Sequence, residues 1–136
     1  MRAFSFQGNG HVIYNGSFYY AHSGYKDQAY VVRYQLKTKT NTSVLIPMAN
    51  GTGPTTLLYA KGHNLFDFAV DENGLWLIYG LYPSNNTVVM KMDPVTLQPH
   101  YMWNISLDHH RVGEMFIVCG VLYALDSAED RDTHIR

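Results

Sequence analysis

The chain has 136 residues, the length of one ordinary domain. Hydrophobic residues make up 46% and charged residues 15%, enough for a core and below the usual ~25% charge, which excludes a disordered chain. Ten basic and eleven acidic side chains leave a net charge of −1, so no long-range field steers the chain toward nucleic acid or a membrane surface.

The opening string MRAFSFQGNG lacks the apolar run of a secretory signal peptide, and no stretch approaches the ~18 apolar residues of a transmembrane helix. His11 to Tyr20 has two apolar arms around Asn15-Gly16, the strongest short hairpin signal. Ala29 to Thr40 alternates in its second half and reads as a strand running into a turn. Leu57 to Leu65 has no strand pattern and reads as a long connection over one face. Phe66 to Gly80 repeats the hairpin, turning at Asp71 to Gly74. Thr87 to Leu97 alternates and stops at the turn-initiating pair Asp93-Pro94. Phe116 to Ser127 gives the hairpin a third time around Gly120. Eleven Tyr and eleven Gly suit strands and turns, and no sustained helical stripe with a cap occurs. The chain is predicted to be all-β. Gly16, Gly74 and Gly120 mark the same point of three units roughly 50 residues apart, the size of a four-stranded propeller blade. A single β-sandwich of about eight strands fits the same spacing.

Five triplets fit the N-glycosylation acceptor pattern: Asn15-Gly-Ser, Asn41-Thr-Ser, Asn50-Gly-Thr, Asn85-Asn-Thr and Asn104-Ile-Ser. Their density points to an extracellular protein whose leader lies outside this chain. Asn41 and Asn85 are expected in turns between strands; Asn15 stands at a tight hairpin.

The strings GNGHVIYNGSFYY (Gly8 to Tyr20), FDFAVDENGLWLIYG (Phe66 to Gly80) and MFIVCGVLYALDS (Met115 to Ser127) resemble the olfactomedin domain, in its order and at about its spacing. A DP-x-TL segment, Asp93 to Leu97, stands where the family has it between the last two blocks. The resemblance implies a five-bladed β-propeller, extracellular and non-enzymatic, used in adhesion, matrix organisation and signalling. Residues 1–136 would be its central half, two to three blades, with 127–136 a disordered truncated end. Its partners would be extracellular or cell-surface proteins, and any homo-oligomer would form through regions outside this chain.

The resemblance also implies a calcium ion in the central channel, bound by Asp67. Phe66, Phe68 and Val70 are expected on one face of their strand, with Asp67, Ala69 and Asp71 on the other. An ionised, unpaired Asp within an apolar strand is costly, so Asp67 needs a cation or a donor, and carboxylate oxygen suits calcium. Without the resemblance, an Asp satisfied by backbone N–H groups or by an Arg is the preferred reading. Where the family has Asn-Ala before its F-x-x-C-G block, this chain has Glu114 and Met115. Glu114 keeps an oxygen donor on a longer, charged arm, and Met115 offers its carbonyl whatever its side chain. Leu65 replaces an acidic residue some members use for an adjacent monovalent ion. The family's remaining ligands would lie beyond Arg136.

The resemblance makes Cys119 half of a disulfide whose partner lies upstream of Met1; flanked by Ile117, Val118, Val121 and Leu122, it is expected buried and inert. His109-His110 beside Asp108 lack metal-ligand spacing and read as a loop surface. Asp126, Glu129, Asp130 and Asp132 read as a solvated tail without an EF-hand pattern, and Trp76 as core rather than a ligand platform. Two alternatives to a binding module remain: a truncated, non-functional product, or a metal-dependent, lactonase-like propeller hydrolase. The enzyme would need a base and an open coordination position, and the hydrophobic flanks of Asp67 argue against both.

Overall fold

The computed structural model describes residues 7–23, 28–50, 57–59, 64–127, 132, 134 and 135. Ten strands run in chain order: β1 (Gln7–Tyr14), β2 (Ser17–Ser23), β3 (Gln28–Gln35), β4 (Thr40–Asn50), β5 (Phe66–Asp71), β6 (Gly74–Gly80), β7 (Thr87–Met92), β8 (Pro99–Ile105), β9 (Glu114–Val118) and β10 (Val121–Leu125). They form three antiparallel meanders, β1-β2-β3-β4, β5-β6-β7-β8 and β9-β10. Among the described residues the one helical element is a 3₁₀ turn, His109–Arg111, and no helix is long and apolar enough to cross a membrane. The chain is all-β, as its composition and periodicity imply.

Each meander opens with the hairpin that the turn glycines announce. Gly16, Gly74 and Gly120 all have positive φ, the conformation a side chain resists. In the first and third hairpins the preceding residue is left-handed too: Asn15 has φ 48° and Cys119 φ 51°. Two consecutive positive φ values make the tight turn that matches strand twist. This overturns the expectation for Cys119. Apolar neighbours suggest burial, yet the residue sits at the hairpin tip and is exposed.

β4 and β8 carry no sequence signal of their own, and both are edge strands. β4 contains Pro47, which cannot donate to a ladder and is tolerated at an edge. β8 is exposed along almost its whole length, so neither face imposes alternation.

Within the second meander, β6 is buried on both faces. Leu75, Leu77 and Tyr79 of β6 enter a core with Tyr19, Ala21, Val31 and Ile46 of the first meander. Trp76 and Ile78 enter another with Met115, Ile117 and Ala124 of the third. That is why Leu75 to Tyr79 is one unbroken apolar run. β5 divides as expected: Phe66 and Phe68 are in the first core, with Val70 against it, while Ala69 packs against the second. The first strands of the meanders are neighbours, β1 beside β5 and β5 beside β9. The side of β5 facing β9 carries Asp67.

Candidate metal centre

Asp67 stands on β5 between two buried phenylalanines, and Glu114 and Met115 open β9. The packing of β5 against β9 brings all three together. Glu114 hydrogen-bonds the Asp67 side chain. Between them stands Tyr59, which is buried. Its hydroxyl donates to Asp67 Oδ2 at 2.6 Å and accepts from the Met115 N–H at 2.8 Å. The Met115 carbonyl oxygen lies 3.4 Å from the same hydroxyl.

The electrostatics follow from this crowding. Burial, then the hydrogen bond from Glu114, push the Asp67 carboxyl up to about 8, against the smaller opposing effect of the Tyr59 hydroxyl. Burial thus favours the neutral form of the Asp67 carboxyl more than water would. Burial and the Asp67 charge drive the Tyr59 phenol far above its ordinary range, so it stays a hydroxyl.

Two carboxylates and a main-chain carbonyl make an all-oxygen donor set, which suits a hard cation such as calcium. A carboxyl held above its ordinary range by burial is also a place where a divalent cation can replace the proton. The residues present fit the ion. They form a partial shell: among the described residues no three His, Cys, Asp or Glu side chains converge. Leu65 is buried in the first core and offers no oxygen from its side chain.

Two supports of the site escaped sequence reading. Tyr59 lies in a stretch without strand periodicity, and only its position against β5 and β9 reveals its use. Gly10 of β1 lets the backbones close up. A Cβ there would stand 2.3 Å from the Phe66 carbonyl oxygen and 3.2 Å from Asp67 Oδ1. The string GNG could have signalled such a close approach.

The histidines also depart from expectation. His109 is buried rather than on a loop surface, because the 3₁₀ turn aims its ring inward and Gly80 leaves the room. A Cβ at Gly80 would lie 2.4 Å from His109 Nε2. His109 Nδ1–H donates to the Leu58 carbonyl at 2.7 Å, tying down the residue before Tyr59, and burial lowers its pKa. The His110 ring lies beside it, tilted by 54°, while its backbone N–H donates to Asp108 at 3.0 Å. No metal ligand set arises there among the described residues.

Asp71 faces the third meander. Its carboxylate accepts from Asn73 N–H at 2.9 Å, Trp76 Nε1–H at 2.7 Å and Gly120 N–H at 2.7 Å, joining two hairpin tips. Trp76 is core, as read. The Cys119 thiol is pushed up by Glu72, its hydrogen-bond partner, so it is a poor nucleophile despite its exposure.

Of the sequon asparagines, Asn15 is exposed at its turn and Asn85 exposed in the loop before β7. Asn41 lies on β4 opposite Tyr34, not in a turn, because the strand begins at Thr40. Asn104 is exposed on β8. The Asn50 side chain lies outside the described residues, as do Glu129 and Asp130. Asp132 is exposed, and Ile135 bridges to Leu125.

The olfactomedin-like domain model matches residues 2–136. Myocilin of Oryctolagus cuniculus is 32% identical over 133 residues, covering 96% of this chain and 26% of myocilin. The chain thus spans about a quarter of the length of this relative. By both measures it belongs to the olfactomedin-like domain family.

Proposed function

We propose that the chain is part of a non-enzymatic, extracellular interaction module of the olfactomedin type, with calcium held at Asp67, Glu114 and the Met115 carbonyl in the complete domain. The observation that carries this reading is the convergence of those residues from separate strands onto one oxygen cluster around the Tyr59 hydroxyl. Calcium supplies positive charge there; Asp67 and Glu114 provide carboxylate oxygen, and Tyr59 orients Asp67.

The three meanders are successive blades of a five-bladed propeller in this reading, with β1, β5 and β9 as inner strands around the channel. Closure of such a ring would cover sheet edges that a few blades alone leave open. The sequons agree with secretion, and the near-zero net charge with partners that are proteins rather than nucleic acid. Any homo-oligomer forms through other regions.

Thermal melting of the complete domain tests the reading. A ligand bound only by the folded state stabilises it by roughly 2.7 kcal/mol at one hundred times its Kd. Calcium should raise Tm, Asp67→Ala should abolish the rise, and Glu114→Gln should weaken it less, since an amide oxygen still coordinates. A calcium-dependent rise that survives Asp67→Ala would refute the assignment.

A further inference from the structure

An apolar groove of about 260 Å³ runs between the first and second meanders, lined by Pro47, Tyr79, Leu81, Val88, Met102 and Asn104. Its floor is fixed: the Tyr79 hydroxyl lies 3.3 Å from the Pro47 carbonyl oxygen and 3.6 Å from Met102 Sδ. Asn104 stands at its rim on β8, opposite Val88, and Ser106 completes its sequon. Asn104 Oδ1 accepts from Asn86 Nδ2 at 3.0 Å. That bond fixes the amide by its oxygen and leaves Nδ2 as the end that can carry a substituent. We propose that this groove seats the first sugars of an N-linked glycan attached to Asn104.

The modification is an ordinary group transfer from a lipid-linked oligosaccharide diphosphate. Asn104 Nδ2 forms a bond to the anomeric carbon of the donor's N-acetylglucosamine. The C–O bond to the diphosphate breaks, the diphosphate leaves with the bonding pair, and the amide loses one proton. The seat gives the sugar a second role. β8 is an open edge whose Tyr101, Met102 and Trp103 are 61%, 54% and 46% exposed, and exposed apolar edges invite pairing with other chains. Hexosamine rings present an apolar C–H face, so one laid over Met102, on the Asn104 face of β8, removes apolar surface from water.

Among the described residues, the sequons at Asn15, Asn41 and Asn85 lack such a seat. At the Asn15 turn, a Cβ on Gly16 would meet nothing within 4 Å, so a glycan there stands free. Asn85 is in an exposed loop, and Asn41 Oδ1 is buried without a hydrogen-bond partner among the described residues.

The inference rests on the extracellular reading, and one experiment separates the two. The complete domain is secreted from a eukaryotic cell, and site occupancy is followed by mass spectrometry during peptide:N-glycosidase digestion, folded and denatured. Asn104 should be occupied, and its glycan should leave the folded protein several-fold more slowly than a glycan at Asn15 or Asn85, with the difference lost on denaturation. Met102→Thr should speed release from the folded state, and Ser106→Ala, which removes the sequon, should lower Tm. Occupancy elsewhere but not at Asn104, or release from Asn104 as fast as from Asn15 or Asn85, overturns the seat alone. No occupancy at any sequon overturns the extracellular reading and the seat together.

Discussion

The Tyr59 hydroxyl works in two directions, donating to Asp67 and accepting from Met115 N–H. Removing it leaves two buried partners without their bond, which costs roughly 1–3 kcal/mol for each unsatisfied group. Tyr59→Phe should therefore lower the urea midpoint and also weaken calcium binding, because Asp67 loses the contact that orients it; a loss of stability with calcium affinity intact would confine Tyr59 to packing. Asp67 supplies a pH signature. Its carboxyl titrates in the fold at about 8, against an unfolded value near ~4. The folded state thus binds the extra proton, so the stabilisation is complete below the unfolded value and is lost as pH rises through 8. Urea titrations without calcium should show stability falling between pH 5 and pH 9, and Asp67→Asn should flatten the slope. Asp67, Glu114 and Met115 were legible because a family pattern marks them. Tyr59 was not: a side chain that reaches across from an irregular segment leaves no periodic trace.

At the scale of strands, what could be read depended on how many faces are buried. β6 announces itself as the unbroken run Leu75 to Tyr79 because both its faces enter a core. The turns of the three hairpins were legible through Gly16, Gly74 and Gly120. β4 and β8 were not, since an edge strand needs no alternating pattern and tolerates Pro47. Burial of Cys119 was misjudged for a related reason: apolar neighbours on both sides describe two strand ends, not the tip between them. The contact of β1 with β5 depends on a missing side chain. At Gly10 an added Cβ meets backbone at 2.3 Å, so relief requires the strands to part. Overpacking of this kind typically costs ~1–3 kcal/mol. Gly10→Ala should lower Tm by several degrees and reduce calcium affinity through Asp67, whereas Gly16→Ala, at an open turn, should leave calcium affinity unchanged. Equal calcium affinity in the Gly10 variant would separate the β1 contact from the site.

In the whole molecule, the oxygen cluster lies where two meanders meet, so any ion there ties one to the other. Trp76, Ile78, Met115 and Ile117 pack the second and third meanders together, and Asp71 adds a hydrogen-bonded latch to Gly120 at the hairpin tips. In the proposed site, a calcium ion would displace the proton that burial favours on Asp67. The most direct test is a calorimetric calcium titration of the complete domain near pH 7, repeated in buffers of different ionisation enthalpy. Binding should release close to one proton per ion, the release should fade above pH 9 where the acids are already ionised, and Asp67→Asn should lose it. Calcium binding without proton release at pH 7, or with unchanged release in Asp67→Asn, would contradict a cation site built on Asp67 and Glu114.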